Sequence, residues 1–305
     1  LSEFAEAVGW RWSFYGIGGL GIILAITELI FVRGDPTSFG YKPVNKDLAR
    51  KSDGETTAKE KMLQLYQNFK QVVTYGWFWV VVVYSFFCSG PYFDISGMWA
   101  GPFLTDTYQF SKSKVGNTQI ALSVGLVAGS LFVPPISSWC HTRKWVLFVA
   151  DIIATISMSV LAIWGSDVPY AVLIILFLLI GMFTNSLTSV CYPLIREYFH
   201  PAIAGTAVGC ANIFTFLSSA IFQNISGEVI AMFPFKEGEV PPSDTANTEK
   251  GYKIGLWMIC AIGLGISTIA IAFAKDSKIG AEVSSKSKDA PTDEKDEVGS
   301  DLGEL

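Results

Sequence analysis

The sequence predicts an all-α membrane protein with about seven transmembrane helices, and three observations carry that prediction. Of the 305 residues, 50% are apolar and only 16% are charged, whereas a soluble domain is nearer a quarter charged. Mean hydropathy is +0.41. Seven stretches reach the roughly 20 apolar residues that cross a bilayer core, and all 22 Lys and Arg lie outside their cores. Disordered, collagen-like and ordinary water-soluble classes are disfavoured together.

The spans run approximately over Trp12–Val32, Trp77–Trp99, Gln119–Ser138, Trp145–Trp164, Tyr170–Ile195, Ile203–Met232 and Ile254–Ala274. The long connection Arg33–Tyr75 divides in two. Gly34–Glu55 is rich in turn formers and charge and reads as a linker. In Ala58–Gln71, residues Met62, Leu63, Leu65, Tyr66 and Phe69 share one helical face with lysines elsewhere, so an amphipathic helix on the membrane surface is expected. The end of the chain is polar and acidic, with 5 Lys against 9 Asp and Glu from Lys275 onward, and is expected to be a disordered tail. The organisation is thus a first span (1–33), a linker with its amphipathic helix (34–75), a six-helix bundle (76–275) and a tail (276–305).

Charge sets the orientation. Alternating sides put 16 of the 22 Lys and Arg on the side shared by the linker, the Trp139–Lys144 turn, the Arg196–Ala202 turn and the tail. By the positive-inside bias that side is cytoplasmic, and a plasma or inner membrane is expected. No stripe of basic residues marks a nucleic-acid partner. The five cysteines stand singly, and with no paired metal ligands, P-loop, GxSxG or HExxH there is no metal, cofactor or catalytic set to expect. The expected partners are a small solute and the lipid bilayer.

Within the spans, Gly125–Gly129 and Gly205–Gly209 have the spacing that lets helix backbones approach. Gly90–Pro91 and Pro134–Pro135 are expected to break or end their helices. Four acids fall in or near the spans. Glu28 and Glu228 lie near the ends, within reach of interfacial water. Asp151, two turns past Lys144, is expected to serve an inner gate. Asp94 adjoins the Gly-Pro pair, with Tyr92 and Trp99 close in sequence, and ionisable groups beside a broken helix are candidates for substrate or coupling sites. Either acid, if alternately exposed, could carry a coupled proton. Uncharged polar residues cluster in the fifth span (Asn185 and Thr188 among them) and in the sixth, where Asn212, Thr215 and Ser219 follow helical spacing. Such a face suits interhelical hydrogen bonds or a neutral polar solute.

Three stretches carry a family resemblance. GWRWSFYGIGGLG (Gly9–Gly21) is similar to the start of the sixth helix of major facilitator superfamily transporters. SGMWAGPFLTDTYQFSKSKVGN (Ser96–Asn117) resembles the seventh helix and the loop after it. REYFHPAIAGTAVGCANIFTFLSSAIFQNISG (Arg196–Gly227) resembles the turn into helix eleven and that helix. The resemblance implies a secondary transporter working by alternating access, here as helix six plus helices seven to twelve, with helices one to five as the missing N-terminal bundle. The family's cytoplasmic motif G-x-x-x-D-R-x-G-R-R/K corresponds to PISSWCHTRK (Pro135–Lys144). Arg143 and Lys144 match it, and with Arg196 and Glu197 they are the inner-gate candidates. Trp139 stands at the acid position, which puts the usual acid–base latch in doubt. The resemblance to anion-carrying members of the family, such as organophosphate antiporters, nitrate porters and oxalate–formate exchangers, implies an Arg or Lys to meet the anion in this bundle. No basic residue lies in the span cores, so a neutral or zwitterionic small organic solute is expected. The alternative from composition alone is a seven-helix receptor or sensor, against which stand the long first inner loop and the lack of a Lys in the last span. A scaffolding half-transporter is a third reading.

Overall fold

The computed structural model of the chain describes residues 10–32, 58–235, 241–243 and 246–276. Every regular element among them is helical. Helix α1 (Trp10–Phe31) stands apart. It is mostly apolar, and its large hydrophobic side chains are exposed, Leu29 at 84%. Helix α2 (Ala58–Thr74) is the expected amphipathic helix. Its C-terminal end docks on α9 and α3, where Val72 is fully buried and the Trp79 indole donates to the Val73 carbonyl at 2.7 Å. The apolar residues Met62, Leu63, Leu65, Tyr66 and Phe69 remain exposed. The linker 34–57 and the tail beyond Asp276 lie outside the described residues.

The rest is one bundle. Helix α3 (Gly76–Asp94) continues through a π-helical turn (Ile95–Trp99) into α4 (Ala100–Tyr108). Then come α5 (Lys112–Trp139), α6 (Lys144–Trp164), α7 (Tyr170–Met182), α8 (Thr188–Glu197) and α9 (Pro201–Ala231). A short α10 (Glu249–Tyr252) leads through a second π-helical turn (Lys253–Met258) into α11 (Ile259–Phe273). Helix α3 is the most buried, packed between α9 and α11, while α11 also packs on α6 and α5 packs on α7. Among the described residues, six helical runs are long and apolar enough to cross a membrane. The remaining expected span, the fifth, is divided: α7 has 13 residues and α8 has 10, with a 3₁₀ turn at Asn185–Leu187 between them.

Two expectations about helix breakers and one about glycine pairs are corrected. Gly90–Pro91 does not break α3, which runs on to Asp94, and the irregular turn falls just after it. Gly90 is instead a seat for an aromatic ring, since a Cβ there would lie 2.5 Å from the Phe222 ring. Gly263 receives the opposite edge of the same ring, so Phe222 of α9 is wedged between α3 and α11. Pro134–Pro135 lies inside α5, which continues to Trp139 although two backbone donors are missing. Of the two glycine pairs, only the first marks a close crossing. A Cβ on Gly125 would overlap the Leu178 carbonyl, and one on Gly181 would overlap the Leu122 carbonyl, so α5 and α7 touch backbone to backbone. Gly205 and Gly209 face open space.

Candidate functional site

The break between α7 and α8 is built by its own polar residues. Thr184 turns its hydroxyl back onto the Ile180 carbonyl at 2.5 Å, and Thr188 donates to the Asn185 carbonyl at 2.7 Å. Such local bonds compete with the helical ladder and favour a turn. Asn185 is half-buried, and its Oδ1 is buried without a hydrogen-bond partner. One turn into α8, the half-buried Tyr192 donates to Asn212 Oδ1 at 2.8 Å and lies 3.4 Å from Thr215 Oγ1. Thr215 is buried and pairs with Ser85 of α3 at 2.9 Å. A strip of amide, phenol and hydroxyl groups therefore joins α3, α8 and α9 beside the break. Ser219 sits further along α9, half-buried, accepting from Gln223 at 3.3 Å. Of the expected α9 face, Asn212 and Ser219 remain partly accessible, whereas Thr215 is turned into the bundle. Tyr192 and Ser85 were not anticipated, because a lone Tyr or Ser inside an apolar run carries no pattern.

Tyr92, Asp94 and Trp99 do not form one cluster. Tyr92 is largely buried and meets Phe93 edge-on at 5.6 Å. Trp99 donates to the Gln223 carbonyl at 3.3 Å and opens onto a cavity of about 830 Å³ near Asp106, Phe110 and Asn247. Asp94 is fully buried, and its Oδ2 accepts from Ser226 at 2.5 Å and lies 3.5 Å from the Cys260 sulfur. Asp151 is likewise fully buried. Its Oδ2 accepts from Ser267 at 2.5 Å and Thr268 at 2.9 Å, both on α11. In each acid the other carboxyl oxygen has no partner, and among the described residues neither acid pairs with a cation. Glu28 and Glu228 are exposed.

The remaining gate candidates converge in part. Arg143 forms an ion pair with Glu197, its Nη2 and Nε lying 2.6 and 2.8 Å from one carboxylate oxygen. This ties the α5–α6 turn to the end of α8. Lys144 instead sits over the Trp145 ring, 5.4 Å from its centroid, and Arg196 is exposed. Asp276 joins the cluster from beyond α11, accepting from the backbone amides of Arg143 at 3.1 Å and Lys144 at 3.2 Å, and from the Thr142 hydroxyl. Tyr198 donates to the Lys275 carbonyl, and burial raises its phenol above the ordinary value, keeping it a donor. Among the described residues no group of three or more His, Cys, Asp or Glu could hold a metal ion.

Comparison with known proteins agrees with the geometry. The sequence model of the Major Facilitator Superfamily matches residues 2–223, more than half of the chain. No curated protein matches it. The family match selects the transporter reading over the receptor one.

Proposed function

The chain belongs to the major facilitator superfamily of membrane transporters, and from that premise we propose that it moves a small neutral or zwitterionic organic solute by alternating access, coupled to protons. The strip of half-buried amide, phenol and hydroxyl groups beside the α7–α8 break carries this reading. Asn185, Thr188, Tyr192 and Asn212 offer donors and acceptors without a fixed charge, and a discontinuous helix is where transporter sites form. Asp94 and Asp151 are the coupling candidates. Each is an intramembrane carboxyl with one oxygen unused, the kind of group that is costly to keep unless it works. The Arg143 end would face the cytoplasm in a plasma or inner membrane, opposite a second bundle of the family's kind.

The test is uptake by the full-length protein in liposomes, screened with neutral and zwitterionic solutes under an imposed pH gradient. Saturable uptake driven by the gradient is expected. Asn212→Ala should raise KM about tenfold through a lost hydrogen bond. Asp151→Asn or Asp94→Asn should leave solute exchange but abolish gradient-driven accumulation. Transport confined to organic anions would overturn the solute class. Unaltered pH coupling in both acid variants would remove the proton step.

A further inference from the structure

The Asp276 carboxylate lies where helix α6 begins. The residue that starts the helix, Arg143, provides no side-chain cap, and the Thr142 hydroxyl before it accepts only from the Trp145 amide, at 3.3 Å. Free amides and the helix dipole there favour an anion. Asp276 supplies it: one carboxylate oxygen takes the amides of Arg143 and Lys144, and the other takes the Thr142 hydroxyl. The neighbouring residue is held as well, because Tyr198, at the end of α8, donates to the Lys275 carbonyl. Trp139, at the motif's acid position, is 82% exposed. The exit of the last span thus clasps both turns that the Arg143–Glu197 pair connects.

We propose that Asp276 is a positioning residue for transport: it fixes the α5–α6 turn so that Arg143 meets Glu197, and it supplies from the end of the last span the acid that Trp139 cannot. The inference rests on the transporter reading, but half of its test does not. The backbone of the turn is held by bonds to Asp276 itself, so removing the carboxylate must free the Arg143 and Lys144 amides. The Arg143 side chain then samples other directions, and Glu197 loses its partner for part of the time.

The experiment uses the full-length protein with Asp276→Ala, Asp276→Asn, Glu197→Gln and the double variant Asp276→Ala/Glu197→Gln. Hydrogen exchange of a peptide covering residues 140–147 should quicken roughly fivefold in Asp276→Ala, the scale of a lost helix cap, and less in Asp276→Asn, which keeps one acceptor oxygen. Transport in Asp276→Ala should show a kcat several-fold lower at unchanged KM. The double variant should be no slower than the slower single one, since both act through Arg143. Adding Trp139→Asp to Asp276→Ala should restore part of the rate. Unchanged exchange in Asp276→Ala would overturn the clasp whatever the protein transports. Faster exchange with wild-type kcat, or rate losses that multiply in the double variant, would reduce Asp276 to a helix cap and overturn the positioning role.

Discussion

The two buried aspartates separate stability from coupling. An ionised carboxylate without a cation is expensive in a low-dielectric interior, and here the surroundings offer only hydroxyls and a thiol. At the Asp151 site those hydroxyls have somewhere else to go. Ser267 and Thr268 each also lie 2.8 Å from the Leu264 carbonyl of their own helix. Asp151→Asn should therefore cost less than about 1 kcal/mol in thermal unfolding of the detergent-solubilised protein, because the amide oxygen still accepts from both hydroxyls and no unpaired charge has to be buried, which offsets the new amide N–H. The same substitution should abolish accumulation driven by a pH gradient. A large stability loss with coupling intact would make Asp151 a packing residue. The Arg143–Glu197 pair calls for a different estimate. Both nitrogens address one oxygen, and the side chains are 14% and 32% exposed. Arg143→Ala or Glu197→Ala should then lower stability by less than about 1 kcal/mol. If the pair matters mainly to the cycle, transport will fall further than that figure implies, and the charge-swapped double variant will recover part of it.

At the scale of elements, the crossing of α5 and α7 is the most exacting contact in the bundle. Gly125 and Gly181 each face the other helix's carbonyl with no room for a methyl group. Gly125→Ala or Gly181→Ala should destabilise by about 1–3 kcal/mol, whereas Gly205→Ala and Gly209→Ala, facing open space, should change stability by less than about 0.5 kcal/mol. Thermal unfolding of the four variants checks both halves. This contrast also shows what the sequence could reveal. Span positions were legible because hydropathy over 20 residues is a sum that one residue cannot overturn. The α7–α8 break left a trace, five polar residues between Thr184 and Ser189, but the sequence reads as one span across it. The identical spacing of Gly125–Gly129 and Gly205–Gly209 could not tell a crossing from an open face, since the difference lies in what stands opposite. Gly181, which completes the crossing, has no glycine three or four residues away. Pro91 misled for a related reason. A proline removes one donor and bends a helix, but packing by Phe222 against Gly90 holds α3 together through it. Asp276 was read as the head of the tail, because only the fold brings it back to residue 143.

The whole molecule leaves apolar surface that no described residue covers. Helix α1 exposes Ile22, Ile23, Leu24 and Phe31, and the outer faces of α5 and α9 expose Val124, Leu131, Ile213 and Phe216. Water does not tolerate patches of this extent, so lipid or further helices must lie against them, and which end of the bundle meets the cytoplasm then fixes every functional assignment. The exposed Cys140, at the end of α5 beside the Arg143 turn, reads that orientation directly. Cys88, Cys191, Cys210 and Cys260 are buried. A membrane-impermeant maleimide should label Cys140 in inside-out vesicles and leave it unmodified in right-side-out ones, with Cys140→Ser as the control for other thiols. Labelling from outside instead would turn the bundle over. The Arg143–Glu197–Asp276 cluster would then guard the outer entrance, and the cavity beside Trp99 and Asp106 would open to the cytoplasm. The excess of basic residues on the linker side would in that case have failed as a guide to topology. That failure would require long-range translocation of the linker against its charge, which the positive-inside bias makes the costlier arrangement.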